Sequence, residues 1–255
     1  MQQAHLELNR AIWDKIGPSL RTTTLPRWGP LVLPEDELKL LGNLKGQRVL
    51  ELGCGDGGSL VWLAEAGVGE LWGLDISASQ LIAARQRLDA RQLSARLIQS
   101  SFEEAVGLPE AYFDLAVSVF ALGWAIGLDA AMARIAACLR PGGRLVFSWE
   151  QPIFSLLAER DGQVIVGEPY LSDGQARHRS FHGVEVALVQ RSQGDWIAAL
   201  LRSGLVLEGL IEPGLDERQL ADHHRQPGYV YSFAKASRVP TTFIVAAHKP
   251  GASQG

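Results

Sequence analysis

Cysteine is nearly absent from this chain, with only Cys54 and Cys138 among 255 residues. Two thiols cannot build a disulfide framework, and no Cys/His spacing matches a zinc site, so no bound metal is expected. Long apolar runs are missing as well. The longest uncharged stretch lies between Asp114 and Asp129 and holds 14 residues, with Gly123 and Gly127 inside it. That is too short to span a bilayer. The first ten residues are polar and lack the apolar region of a signal peptide. These absences point to a protein of the cytoplasm with no membrane contact. Excess positive charge is also missing, since 24 basic residues face 28 acidic ones for a net charge of −4. A nucleic-acid partner is therefore not expected, because neutralising phosphates needs a basic face.

What the chain does have is apolar content, 47% of it, enough for a substantial core. From residue 48 onward, short apolar runs alternate with helical patterns. The runs are Arg48–Leu52, Glu70–Asp75, Ala95–Gln99, Phe113–Ser118 and Gly143–Trp149. Helices are expected over 59–66, over a stretch capped by Ser77 and ending near 88, and over a stretch capped by Asp129 and ending near 139. Strands alternating with helices make right-handed βαβ units, and runs apolar at consecutive positions belong to strands covered on both faces. The fold class is α/β, a doubly wound and mostly parallel sheet.

The flanks are less regular. A helix is expected over 5–16, an irregular connection over 21–34 with Pro26, Pro30 and Pro34, and a short helix over 35–41. Beyond Trp149 the rhythm breaks, with strands expected only at 164–166 and 184–189 before a helix at 195–202. Strand-like runs follow at 205–211 and 241–247, and residues 250–255 are expected to fray. The excursions 151–190 and 213–240 are long for plain connections, and such segments usually cover a site.

The strongest local signal is Val49-Leu-Glu-Leu-Gly-Cys-Gly-Asp-Gly-Gly58. Its glycines follow a buried strand and open a helix, where missing Cβ atoms permit a tight turn and close approach of a ligand. Gly53, Gly55 and Gly58 satisfy G-x-G-x-x-G, and Asp75 lies at the spacing of a dinucleotide fingerprint. On spacing alone, an NAD(P)-binding oxidoreductase and an S-adenosylmethionine-binding protein remain equally open.

The wider pattern resembles the class I S-adenosylmethionine-dependent methyltransferases: VLELGCGDGG, then LWGLDIS, FDLAVSVFALGW and LRPGGRLVFSW. Glu51 two residues before the first glycine and the turn Pro141-Gly-Gly143 before the fifth strand are marks of that family. The resemblance implies a seven-stranded sheet in the order 3-2-1-4-5-7-6 with the last strand antiparallel. It divides one domain, 1–255, into N-terminal lid helices (1–44), a cofactor-binding core (45–150), a substrate cap (151–190) and a sheet-closing part (191–250). It further implies S-adenosylmethionine as cofactor and S-adenosylhomocysteine as product. Gly53, Cys54 and Gly55 would line the methionine end, and Glu51 would hold the ammonium. Asp75 would accept the ribose hydroxyls, Ile76 would pack on the adenine, and Ser118 would lie under the methionine portion. The family often has an acid after the third strand, but here the dipeptide is Ser101-Phe102, which can still meet the adenine edge.

Methyl transfer mainly requires that a nucleophile be positioned and water excluded, and a base is needed only when the acceptor must lose a proton. Glu150, directly after the fifth strand, and His182, in the cap, are the candidates for catalysis. His178 and the pair His223-His224 have weaker claims. Trp28, Phe120, Trp124 and Trp149 are candidate walls of a substrate pocket. Segments such as Asn9–Trp13, Trp28-Gly-Pro30, Gln190-Arg-Ser192 and Ile211-Glu-Pro213 resemble a bacterial subgroup that acts on small molecules and natural products. The implied partner is a small acceptor, and the implied assembly a monomer or homodimer. A non-catalytic, cofactor-binding member of the same fold is the other alternative.

Overall fold

The computed structural model describes residues 2–20, 23–171, 173–226 and 228–251. Residues 252–255, expected to fray, lie outside the described residues. The chain opens with α1 (Gln2–Ile16), and a second, single-turn helix α2 (Glu35–Leu38) ends where Lys39 enters the left-handed region. The alternating part follows as β1 (Arg48–Leu52), α3 (Gly58–Glu65), β2 (Glu70–Asp75), α4 (Ala78–Asp89), β3 (Arg96–Gln99), β4 (Phe113–Ser118), α5 (Leu128–Cys138) and β5 (Leu139–Glu150). Two hairpins come next, β6 (Leu157–Arg160) with β7 (Gln163–Val166) and β8 (Ala176–Phe181) with β9 (Val184–Val189). The chain closes with α6 (Gln193–Arg202), β10 (Val206–Ile211), the short α7 (Phe233–Ala236) and β11 (Thr242–His248).

Seven strands form one sheet in the order β10-β11-β5-β4-β1-β2-β3. Strands β1 to β5 are parallel, and β11 runs antiparallel between β5 and β10. This is the expected order 3-2-1-4-5-7-6 with β11 in the seventh place. The central strands are buried along nearly their whole length, as expected where helices cover both faces. One face packs on α5 and α6 through Phe113, Met132, Phe147, Trp196 and Phe243. The other holds Trp28, Val49, Leu60, Val117 and Ile244.

Local differences have identifiable causes. Asp129 lies inside the first turn of α5, whose N-cap is Gly127, so its carboxylate meets the helix dipole and the Arg202 guanidinium at 2.6 Å instead of capping. The helix α6 starts two residues earlier than expected because Ser192 and Asp195 form a reciprocal capping box. β5 begins at Leu139, since Phe113 pairs with Leu139 while Leu115 pairs with Arg144, and the Pro-Gly-Gly turn bulges between them. Each expected cap strand has a partner that the apolar pattern hid, for Arg177, His178 and Arg179 make β8 too polar to stand out.

The irregular N-terminal connection is anchored by a buried carboxylate. Glu35 accepts hydrogen bonds from the Trp28 indole at 3.0 Å and from the backbone N–H groups of Leu40 and Leu41. Burial raises its pKa, and these three donors oppose that rise. We predict that Glu35→Ala, which strands buried donors, lowers the unfolding free energy by roughly 1–3 kcal/mol in urea titrations. An unchanged midpoint would show that the connection is not held this way.

Candidate functional site

The carboxyl ends of β1, β2 and β4 meet where the glycine turn leaves β1. Gly53 has φ +73, and a side chain there would collide with Ala121, so only glycine fits the turn. The turn is tied to the next strand, because Gly55 N–H donates to Asp75 Oδ2 at 2.8 Å and Ser77 N–H to Oδ1 at 2.9 Å. Burial raises the Asp75 pKa, and these backbone donors oppose the rise. Each carboxylate oxygen keeps acceptor capacity beyond its single backbone bond.

Glu51 is almost fully buried, and its Oε2 has no hydrogen-bond partner. Removal from water pushes its pKa up to about 8; Ser59 opposes this by hydrogen bonding, while the neighbouring Asp75 and Asp56 add to it. The Ser118 hydroxyl is likewise buried without a partner. Unsatisfied polar atoms are costly in a folded core. A carboxylate and a hydroxyl left open beside a glycine turn therefore suit a cationic, polar ligand such as the amino-acid end of S-adenosylmethionine.

Beside this cradle lies a small pocket of about 30 Å³. Ile76 after β2 and residues 100–103 after β3 form its floor, while Leu6, Asn9 and Trp13 of α1 and Trp124 close it. The helix α1 is pinned at its middle and near its C-terminal end. Asn9 both donates to and accepts from the Ala187 backbone of β9, at 2.8 and 2.9 Å. Asp14 accepts from the Ser77 hydroxyl and the Ser79 N–H at the start of α4.

The structure brings most of the candidate residues together but not all. Gly53, Gly55, Asp75 and Ile76 gather at the turn, and Ser101, Phe102 and Ser118 border it. Phe120, Trp149 and Trp124 form a chain of ring contacts, 5.0 and 5.7 Å between centroids, that continues to Trp13 and Phe181. Glu150 ends β5 at the same edge, with its pKa raised by burial and opposed by the Tyr231 hydroxyl, Lys235 and Arg179.

Three expectations need correction. The Trp28 ring is fully buried in the core against the sheet, so it walls no pocket. The Cys54 thiol turns inward among Leu60 and Leu71, leaving only its backbone at the turn. His182 is exposed at the left-handed corner of the β8–β9 hairpin, edge-on to Phe181, and is not among the residues that line the pocket.

The sequence reading missed Asn9, Trp13 and Glu103. Glu103 sits immediately after the Ser-Phe dipeptide, borders the pocket, and has a buried Oε2 without a partner. Its Oε1 accepts from the N–H groups of Ile126 and Gly127. From the other side the buried Arg191 donates to the carbonyls of Gly123, Ala125 and Ile126. Burial lowers the Arg191 pKa to about 10. The loop that carries Trp124 is thus gripped by two buried charges.

A doubly wound sheet with a glycine turn, two acids at the strand ends and a small adjoining pocket fits a protein that binds a nucleoside-type cofactor. Comparison with known proteins identifies which one. A family model described as a methyltransferase domain matches residues 50–147. An uncharacterised protein of Haemophilus influenzae is 30% identical over 223 residues, which cover 83% of this chain and 85% of that protein. A malonyl-[acyl-carrier protein] O-methyltransferase of Enterobacter lignolyticus is 38% identical over 101 residues, only 38% of its own length. The crystal structure of an S-adenosylmethionine-dependent methyltransferase from Mesorhizobium loti superposes with a TM-score of 0.67 at 26% identity, covering 83% of this chain and 95% of that one. The chain belongs to the class I S-adenosylmethionine-dependent methyltransferases. It is an enzyme of that family, its cofactor is S-adenosylmethionine, and the oxidoreductase alternative falls away.

The buried Glu51 has a consequence for stability. The folded carboxyl holds its proton up to about pH 8, whereas in the unfolded chain it releases it near 4.5. Unfolding therefore releases a proton between those values, and stability falls as pH rises through that window. We predict that Glu51→Gln stabilises the cofactor-free protein by about 3 kcal/mol at pH 7, with the difference falling below about 1 kcal/mol near pH 5. Urea titrations at the two pH values measure this, and a variant no more stable at pH 7 than wild type would contradict it.

Proposed function

We propose that this enzyme transfers a methyl group from S-adenosylmethionine to a small acceptor, a metabolite or natural product with an oxygen, nitrogen or carbon nucleophile. The observation that carries the reading is the cover that α1 makes over this edge of the sheet, clasped at Asn9 and Asp14 with Trp13 edge-on to Trp124. A site covered in this way suits a small molecule better than a polymer. Likeness to an O-methyltransferase supports an oxygen acceptor. The two thiols, both buried and unpaired, suit a reducing compartment such as the cytoplasm.

In this reading Glu51 meets the ammonium of the cofactor and Asp75 takes the ribose hydroxyls. Ile76 and Phe102 flank the adenine, with Ser101 and Glu103 at its polar edge. The Gly53–Gly55 backbone and the Ser118 hydroxyl follow the methionine portion. The bound cofactor supplies a methyl group on a sulfonium that is already a good leaving group. The protein orients the acceptor in line and keeps water out, with α1 as the lid. Rings such as Trp124 and Trp149 add apolar walls and an attractive face for positive charge.

Incubating the enzyme with isotope-labelled cofactor and fractionated metabolite extracts, read by mass shift, tests the activity directly. Label on a small molecule is the expected result, and label confined to protein or nucleic acid would overturn it. We further predict that Asp75→Ala weakens S-adenosylhomocysteine binding by roughly 1.5–3 kcal/mol, the range for hydrogen bonds to a charged group. Calorimetric titration of the folded variant measures this, and unchanged affinity would remove Asp75 from the ribose site.

A further inference from the structure

Several buried polar atoms without a partner belong to the cofactor cradle in the reading above: Glu51 and Ser118 at the methionine end and Glu103 at the adenine edge. A further one, Gln80 Oε1, has no role in that reading. Gln80 lies in the first turn of α4, just after Asp75 and Ile76, and is only 5% exposed. Its carboxamide sits between two glycines. A side chain at Gly17, just past α1, would overlap the carboxamide carbon at 2.8 Å and Nε2 at 2.9 Å. One at Gly55 would meet Nε2 at 3.6 Å. Gly55 is also the residue whose N–H donates to Asp75 Oδ2 at 2.8 Å. The Asp75 carboxylate and the Gln80 amide therefore flank the same residue of the glycine turn. The backbone of Gln80 is fixed as well, since its N–H donates to Ser77 Oγ at 3.2 Å and the Ser77 hydroxyl donates to Asp14 of α1 at 2.8 Å. Leaving a buried amide oxygen unpaired is costly, and an apolar side chain of the same size would avoid that cost.

We propose that Gln80 is a second ribose-binding residue, which completes with Asp75 a site for the two hydroxyls of a ribonucleoside. The proposal rests on the reading above in which Asp75 takes the ribose hydroxyls of the cofactor. An ionised carboxylate only accepts hydrogen bonds, and each Asp75 oxygen already takes one backbone N–H. It can receive the hydroxyl protons but offers nothing to the hydroxyl lone pairs. A carboxamide does both, because its oxygen accepts and its NH2 donates, and a half-turn of the amide exchanges the two ends. The unpaired atom of Gln80 is an acceptor and calls for a donor. A ribose hydroxyl is one, whereas the carboxylate at the cofactor's amino-acid end is not. The end of α1 packs over the carboxamide at Gly17 and limits the water that could compete for it. Removing the hydroxyl that meets Gln80 would leave the amide orphaned again, and a site built this way rejects the analogue that lacks the group.

The test is calorimetric titration of the whole protein and its folded variants with four ligands. These are S-adenosylhomocysteine, its 2′-deoxy and 3′-deoxy forms, and 5′-methylthioadenosine, which lacks the amino-acid end. Gln80→Met, which keeps length and volume, is expected to weaken S-adenosylhomocysteine binding about five- to tenfold. 5′-Methylthioadenosine should lose the same factor, because it retains the ribose. For one of the two deoxy ligands the loss should shrink below about twofold, which identifies the hydroxyl that the amide meets. Gln80→Asn keeps the polarity but draws the amide back by one carbon, and the same pattern is expected of it if Gln80→Met does not fold. Unchanged S-adenosylhomocysteine affinity in the folded variants would overturn the proposal. A loss confined to S-adenosylhomocysteine would also overturn it, by placing the amide at the amino-acid end. So would an equal loss with all four ligands, the mark of packing alone. If Asp75→Ala leaves affinity unchanged, or wild type binds none of the four, the ribose reading beneath the proposal fails instead.

Discussion

Two carboxyl groups withdrawn from water at the carboxyl ends of β1 and β2 are the constraint on which the rest of the structure depends. Glu51 and Asp75 are held out of water in the same corner, where the charge on one makes ionising the other harder. A stability-optimised fold would place apolar side chains there, or pair each acid with an arginine. Here the Glu51 Oε2 is buried without a hydrogen-bond partner beside the glycine turn. In the proposed reading a cation completes the site. Such sites are where proteins depart from their own packing rules.

The remaining elements keep that corner dry and in register. Asp75 ties the turn after β1 to the start of α4, and Asp14 ties α1 to the same helix end. Asn9 pairs with the Ala187 backbone as a strand residue would, which fastens α1 to the β8–β9 hairpin. Arg191 and Glu103 fix the Trp124 loop through its backbone. The aromatic chain from Trp13 to Phe120 therefore has little freedom. Such preorganisation limits the rearrangement needed when a ligand arrives.

Most of the sheet was legible because a strand buried on both faces writes a continuous apolar run. β1, β2 and β4 appear at their expected boundaries, and the order of all seven strands follows the family resemblance. The parts that were not legible depend on tertiary contacts. β6 and β8 are too polar to show as strands, and they exist because each pairs with its neighbour across a glycine corner. Trp28 looked like a loop aromatic, but Glu35 gives its indole N–H a buried partner and lets the ring enter the core. Trp13 was visible only as one position on an amphipathic helix, and its role depends on where that helix lands. Gln80 carries no motif, and only the fold brings it against Gly17 and Gly55.

In the proposed reading Glu51 keeps its proton until a cationic cofactor arrives. Calorimetric titration of S-adenosylhomocysteine at pH 7, in buffers of different ionisation enthalpy, reads this directly as protons exchanged on binding. Wild type is expected to release close to one proton, and Glu51→Gln to release none while still binding. Binding with no buffer dependence in wild type would contradict the claim that this buried carboxyl is the cofactor's counter-charge.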